Sequence, residues 1–212
     1  RTQHDFRLAG PARSRDELIS TLAAWTAGDE QPGVVSGRRL AQAPSKAGFV
    51  YPGQGGQWAG MGRRLFEREP VFRDALSRGD EAIKQHTGWS VTKIICSNDT
   101  TWLGEIDIVQ PTLFALMIAL TELWRSFGVE PAAVVGHSMG EAAAAAVAGA
   151  LSLDDAAAVI CHRSRLMKRV RGHGLMAVVE LSLEETKPWL ENAGRVWIGA
   201  SNGATSTVIS WC

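Results

Sequence analysis

The strongest chemical signal in the sequence is Gly136-His137-Ser138-Met139-Gly140, which matches the pattern G-x-S-x-G. In this pattern the serine is a nucleophile on a sharp turn between a strand and a helix, and the flanking glycines let the backbones approach closely. The helix that follows adds free backbone N–H groups and its dipole near the reacting oxygen. The pattern therefore predicts covalent catalysis through Ser138. The alternative is a glycine-flanked turn whose serine has no chemical role.

A second glycine-rich segment, residues 52–62, follows a short apolar stretch. It has neither the G-K-[ST] ending of a P-loop nor a G-x-G-x-x-G register, so phosphate or dinucleotide binding is not predicted. A loop dense in glycine does present backbone N–H groups, and these can hold a developing oxyanion. A flexible turn is the simpler alternative.

The elements that must position these two segments follow from the hydrophobic periodicity. Strands are predicted at Gly48–Tyr51 and Ala132–Gly136, directly before the glycine-rich segments. The other predicted strands are Val34-Val35, Val91–Cys96, Met176–Leu181, Val196–Ala200 and Thr205–Ser210. The predicted helices are Asp16–Ala27 with Ser14 as N-cap, Arg63–Ala82, a long helix opened by Pro111, Glu141–Ala150, Leu153–Arg169 and Glu184–Asn192.

Composition limits the class of protein. The chain has 212 residues, is 45% hydrophobic and 21% charged, and carries 22 Lys and Arg against 22 Asp and Glu. This is typical of a globular protein and gives no electrostatic argument for binding nucleic acid or an anionic membrane. The three cysteines, Cys96, Cys161 and Cys212, form neither a disulfide framework nor a metal motif. No targeting segment or membrane span is expected, and we expect a cytoplasmic protein.

Three motifs in order carry a family resemblance. They are Phe49-Val50-Tyr51-Pro52-Gly53-Gln54-Gly55-Gly56-Gln57-Trp58, Gln110-Pro111 and Val135-Gly136-His137-Ser138-Met139-Gly140-Glu141. Together they resemble the acyltransferase domain of type I polyketide synthases, a relative of malonyl-CoA:acyl carrier protein transacylases. The resemblance implies an α/β fold, with an α/β-hydrolase-like large subdomain and an incomplete ferredoxin-like small one. It implies the end of a ketosynthase-to-acyltransferase linker at 1–47, the large subdomain at 48–172 and the start of the small subdomain at 173–212.

The resemblance also implies a role for each matching residue. Ser138 is the nucleophile that takes an acyl group from coenzyme A and passes it to the phosphopantetheine arm of an acyl carrier protein. The backbone N–H groups of Gln54 and Met139 form the oxyanion hole. No bound cofactor and no metal are implied, since the coenzyme A thioester is a substrate. The implied partners are the acyl carrier protein and an upstream ketosynthase.

Three further residues are implied to bind the substrate. Arg163 grips the free carboxylate of the extender, because a guanidinium binds a carboxylate through two parallel hydrogen bonds. Gln110 and His137 line the pocket. Without the resemblance, a position on a solvated helix face would be favoured for Arg163 over a substrate-binding role. For Gln110, a polar group at the start of a helix and a pocket residue would be equally favoured.

Departures from the family pattern make us expect a fragment. The family's catalytic histidine lies further downstream than Cys212, and the only downstream candidates, His162 and His173, do not match it. The small subdomain stops after strand, helix, strand and strand, short of β-α-β-β-α-β. We therefore expect exposed apolar edges, reduced stability and an acyltransferase that is incompetent or crippled alone.

The sequence leaves open the choice of extender and the function of the chain. Ile106–Gln110 resembles the pattern of methylmalonyl-using domains, whereas Met139 resembles malonyl-type or methyl-branched-lipid synthases, and methylmalonyl is favoured. A catalytically inactive remnant of such a domain is the first alternative. The second alternative is an α/β-hydrolase, either an esterase or a thioesterase. Arg163 argues against it, because a hydrolase that transfers the acyl group to water needs no residue to bind a free carboxylate.

Overall fold

The computed structural model describes residues 4–39 and 46–211, and its two compact units divide between Lys46 and Ala47. The first unit contains β1 (Phe6–Ala9), α1 (Arg15–Ala27) and β2 (Val35–Arg38), with β1 and β2 antiparallel. The side chain of Ser14 accepts a hydrogen bond from Glu17 N, so Ser14 caps α1 as predicted. Strand β1 was not predicted. The four large apolar residues of the predicted buried face of α1 are 39–55% exposed: Leu18, Ile19, Leu22 and Trp25.

The first part of the second unit is a two-stranded parallel sheet with helices packed on it. Strands β3 (Ala47–Tyr51) and β4 (Pro131–Gly136) run parallel and end together, with Tyr51 opposite Gly136. Its helices are α2 (Arg63–Arg68), α3 (Pro70–Thr87), α4 (Val91–Cys96), a 3-10 turn (Thr101–Gly104), α5 (Ile106–Ser126), α6 (Gly140–Val147) and α7 (Leu153–Arg169). The mutual packing of α3, α5 and α7 builds the core, which includes the fully buried Phe72, Leu76, Phe114 and Ile160.

The second part of this unit follows residues 170–174. It contains β5 (Leu175–Val179), α8 (Leu183–Leu190), β6 (Val196–Gly203) and β7 (Ser206–Trp211), in an antiparallel sheet of order β5-β7-β6. These are the first four elements of a β-α-β-β-α-β unit. Ser182 and Glu185 form a reciprocal capping box at the start of α8. We refer to residues 175–211 as the small subdomain and to residues 47–169 as the large subdomain.

The strand predicted at Val91–Cys96 is wrong, because this segment forms α4. The β-branched residues favour a strand locally, but a buried carboxylate on α3 starts a helix there instead. Asp80 is 6% exposed and accepts hydrogen bonds from Val91 N at 2.6 Å, Ser90 Oγ at 2.8 Å and Thr92 Oγ1 at 2.7 Å. The anchored first turn of α4 then buries Val91 and Ile95 in the core.

The long helix begins earlier than predicted. Pro111 lies inside α5, which starts at Ile106, although proline removes one helical hydrogen bond and usually marks the first turn. Burial outweighs this loss, since twelve of the residues between Val109 and Leu123 are buried. The helix is also long and apolar enough to cross a membrane, but most of it is buried inside the protein, as expected of a core helix.

The turn from β4 to α6 lies unusually close to the end of β3. A Cβ added at Gly140 would lie 2.0 Å from the Tyr51 carbonyl oxygen, and one added at Gly136 would lie 2.4 Å from Glu141 Cα. No side chain fits at either distance, so the turn requires glycine at both positions. His137 N donates to Tyr51 O at 2.9 Å and ties the turn to β3.

Replacing Asp80 by alanine is expected to lower the free energy of unfolding by about 2–4 kcal/mol, because the start of α4 loses its buried acceptor. Urea unfolding followed by circular dichroism measures this. Asp74→Ala is the matched control, since Asp74 is exposed on the same helix and no hydrogen bond or ion pair of its side chain occurs within the described residues. Equal effects of the two substitutions would contradict the role given to Asp80.

Gly140→Ala is expected to cost about 3 kcal/mol of stability, because the new methyl group collides with the backbone of β3. Gly48→Ala is the control in the same sheet, where the added Cβ meets only Ala133 O at 4.0 Å. The unfolding midpoints in urea compare the two variants. A Gly140→Ala protein as stable as the Gly48→Ala protein would show that the turn can relax away from β3.

Candidate active site

Ser138 lies at the tip of the turn between β4 and α6, with an exposed side chain. Its φ of 53° is the only positive value at a non-glycine residue within the described ranges. A left-handed conformation is strained for serine and is typical of residues held in place for function. Strand, turn and helix therefore have the arrangement that the G-x-S-x-G pattern predicts.

Arg163 reaches Ser138 from α7. Its Nη2 donates to Ser138 Oγ at 2.9 Å, and its Nη1 donates to Gln110 Oε1 at 2.6 Å. Gln110 is 2% exposed and donates from Nε2 to Gln54 Oε1 at 2.9 Å. One chain of hydrogen bonds thus joins four of the predicted site residues, and a buried amide holds the guanidinium beside the serine.

Two backbone N–H groups remain available at this site. Within the described residues, neither Gln54 N nor Met139 N donates a hydrogen bond. Met139 is 1% exposed and forms the N-cap of α6, where backbone N–H groups are free of helical partners. Such donors can stabilise a negative oxygen that develops on a carbon bound to Ser138.

The glycine-rich loop that carries Gln54 is anchored at several points. Gln57 accepts from Gly55 N at 2.8 Å through Oε1 and donates from Nε2 to Leu103 O at 3.3 Å. Arg63, at the start of α2, donates to Ile95 O at 3.0 Å and also contacts Ser97 O. These contacts run to the 3-10 turn and to α4, so the loop has fixed partners on the large subdomain.

His137 contacts the small subdomain. Its Nε2 is 2.9 Å from Asn202 Oδ1 on β6, and a Cβ added at Gly53 would lie 3.2 Å from its Nδ1. Sequence reasoning did not find Asn202, which follows His137 by 65 positions and belongs to no pattern that we interpreted.

His162 and His173 do not contact Ser138. His162 packs edge-on against His86 with ring centroids 5.7 Å apart, and His173 lies in the exposed connector after α7. Within the described residues, Arg163 is the only side chain that forms a hydrogen bond with Ser138 Oγ. This part of the chain therefore provides a nucleophile and a cation at the site, and neither histidine is placed to act as a base.

Two further groups on α7 have altered pKa values. Burial raises the pKa of the Cys161 thiol to about 11, so this neighbour of Arg163 is a poor nucleophile at neutral pH. The hydrogen bonds from Lys168 to Glu105 and Asp107 raise the pKa of Lys168. These ion pairs join the end of α7 to the start of α5. The described residues contain no cluster of three or more His, Cys, Asp or Glu that could hold a metal ion.

A cleft of about 740 Å³ opens next to the hydrogen-bonded chain. The large subdomain contributes Gln54, Ile106 and Met167 to its wall, and the small subdomain contributes Met176 and Trp211. The Sδ of Met167 lies 3.7 Å from Gln110 Nε2, so the cleft adjoins the residues that hold Arg163. Its walls are mostly apolar.

Comparisons with known proteins agree with this arrangement. The acyl transferase domain family matches residues 48–211. The chain is 42% identical to polyketide synthase GfsE of Streptomyces halstedii over 99% of its own length and 6% of that protein. It is 43% identical to erythronolide synthase EryA2 of Saccharopolyspora erythraea, over 99% of this chain and 6% of that protein.

Solved structures give the same result. The acyltransferase domain from module 8 of the salinomycin polyketide synthase superposes with a TM-score of 0.89 and 37% identity, covering all of this chain and 50% of that one. The acyltransferase domain of PpsC of Mycobacterium tuberculosis gives 0.74 and 40% identity, over 90% of this chain and 55% of that one. The chain thus spans about half of these domains. The likeness confirms the predicted α/β fold class, and the chain belongs to the acyltransferase domain family of polyketide synthases.

Proposed function

We propose that Ser138 carries a malonyl-type acyl group from coenzyme A to the phosphopantetheine thiol of an acyl carrier protein. Ser138 Oγ attacks the thioester carbonyl, so that a C–O bond forms and the C–S bond to coenzyme A breaks. The N–H groups of Gln54 and Met139 stabilise the oxyanion of each tetrahedral intermediate. The carrier thiol then attacks the acyl-serine, which restores a thioester and frees Ser138.

The hydrogen bond between Arg163 and Ser138 is the observation that supports a dicarboxylic acyl group. Because the guanidinium lies 2.9 Å from Oγ, a carboxylate two carbons beyond an acyl carbon on Oγ falls within its reach. Gln110 keeps one edge of the guanidinium occupied, which leaves the other edge for the substrate. Arginine suits this role because it remains charged and binds a carboxylate with two donors.

The proton of Ser138 must pass to a base, and no histidine or carboxylate of the described residues contacts Oγ. A serine hydroxyl without a positioned base reacts slowly, and the loss of such a base can cost about 10⁶ in rate. We therefore propose slow acylation for this chain by itself, and this observation also favours the second candidate, a catalytically inactive remnant.

The proposal extends to the extender, the partners and the compartment of the protein. Methylmalonyl is favoured over malonyl on the sequence Ile106–Gln110. The partners proposed are an acyl carrier protein and an upstream ketosynthase, in the cytoplasm. The curated relatives are polyketide synthases of which this chain covers only a few per cent, and that is compatible with several catalytic domains in one chain.

Intact-mass spectrometry after incubation with acyl-coenzyme A tests the proposal. Methylmalonyl-CoA and malonyl-CoA are expected to add one acyl group, the former faster, and Ser138→Ala is expected to add none. Arg163→Ala is expected to slow acylation by these dicarboxylic donors at least about thirtyfold, since the carboxylate loses its charged partner. Acylation by acetyl-CoA, which has no carboxylate, is expected to survive Arg163→Ala.

Arg165→Ala is the matched control, because Arg165 lies on the same helix and bonds to His86 O, away from Ser138. Its acylation rates are expected to equal those of the unchanged chain. Release of product from simple esters without an acyl-CoA preference would favour an esterase. The absence of any adduct would favour the inactive remnant.

A further inference from the structure

The small subdomain has few ties to the large subdomain. Within the described residues, one side-chain hydrogen bond links residues 175–211 to residues 47–169, namely that between Asn202 and His137, and no ion pair does so. The connector, residues 170–174, is exposed throughout, and its Gly172 has a φ of 85°. Arg171 ties the connector to Gly104 O at 3.2 Å, and beyond the connector one side-chain hydrogen bond among the described residues links the small subdomain to the large one.

Asn202 is presented by an irregularity in β6. Ser201 pairs with Thr207 and Gly203 pairs with Ser206, so the register shifts at Asn202 and leaves it without a partner on β7. A bulge of this kind bends a strand and redirects a side chain, and bulges are frequent next to active sites. The bulge turns the side chain of Asn202 toward His137, on the turn that carries the nucleophile.

His137 has a fixed backbone and a ring whose orientation depends on Asn202. Its N donates to Tyr51 O at 2.9 Å and its O accepts from Gly140 N at 2.9 Å. The ring forms one hydrogen bond within the described residues, and its Nδ1 edge lies against Gly53. Because Oδ1 of Asn202 can only accept, this bond selects the imidazole tautomer protonated at Nε2.

We propose that Asn202 is a positioning residue of this active site, which acts by accepting the Nε2–H of His137. The bond fixes the imidazole as a wall beside Ser138, and it holds the small subdomain over the cleft. Asn202 itself touches neither Ser138 nor Arg163 within the described contacts, so its effect passes through His137. The part of this inference that concerns acyl transfer rests on the proposed function, whereas the part that concerns the tautomer and the closure does not.

Nuclear magnetic resonance tests the structural part without any activity. Long-range ¹H–¹⁵N spectra distinguish the two tautomers of each histidine ring. The signals of His137 are assigned by their absence from the spectrum of His137→Gln. At pH 8 they are expected to show the tautomer of His137 that is protonated at Nε2. Asn202→Ala is expected to give a mixture of tautomers. It is also expected to raise amide exchange at His173, whose N–H donates to Val170 O in the connector, about two- to tenfold, the range for one lost hydrogen bond. Asn202→Asp retains the acceptor and is expected to restore the Nε2–H form.

Ser201→Ala is the matched control, since Ser201 is exposed, lies next to Asn202 and is paired within the sheet. It is expected to leave both the tautomer and the amide exchange unchanged. If Asn202→Ala keeps the tautomer and exchange rates of the unchanged chain, Asn202 does not position His137 and the proposal is overturned.

The acylation assay tests the catalytic part. Asn202→Ala is expected to slow the formation of the acyl-serine about two- to tenfold, while Ser201→Ala acylates at the rate of the unchanged chain. Equal acylation rates for Asn202→Ala and the unchanged chain would overturn the catalytic role. If the unchanged chain forms no adduct, the proposed function fails, and the magnetic resonance result still decides whether Asn202 positions His137.

Discussion

The close crossing of the Ser138 turn over the end of β3 is the contact on which the rest of the site depends. Parallel strands bring their carboxyl ends to the same edge of a sheet, so the two segments that follow Tyr51 and Gly136 start side by side. Glycine at position 140 lets the backbones meet, and the hydrogen bond from His137 N to Tyr51 O fixes their distance. The Tyr51 side chain, hydrogen-bonded to Thr121 at 2.8 Å in the core, ties this edge to α5. The turn that carries the nucleophile and the helix that carries Gln110 are thereby parts of one framework.

The same framework holds Arg163 where it could bind the proposed dicarboxylic substrate, in a chain without net charge. Arg163 lies on α7, which packs on α5, and Gln110 of α5 receives one of its donors. The ion pairs of Lys168 with Glu105 and Asp107 hold the two helices together one turn further along. In the proposed mechanism, a guanidinium held in this way needs no basic surface around it, because it would recognise the carboxylate by geometry rather than through a long-range field.

Features with a local cause could be predicted from the sequence, and features set by distant contacts could not. The bounds Leu153–Arg169 of α7 were predicted correctly, since Ser152 caps the helix and the apolar spacing continues to its end. The strand at Val91–Cys96 was wrong because Asp80, on a different helix, starts α4. The predicted helix start at Pro111 was wrong because burial of α5 outweighs one missing hydrogen bond. Nothing in the spacing of Arg163 and Ser138 shows that they touch, and Asn202 depends on a bulge that no sequence pattern marks.

The two subdomains contribute unequally to the proposed acyl transfer. The nucleophile, the proposed oxyanion donors and the arginine all belong to the large subdomain, where a continuous core fixes their distances. The small subdomain is joined to this part by an exposed connector, which Arg171 ties to Gly104 O, and by the side-chain hydrogen bond between Asn202 and His137. The proposed chemistry therefore depends on the core of the large subdomain, and the proposed position of the small subdomain depends on the contact between His137 and Asn202.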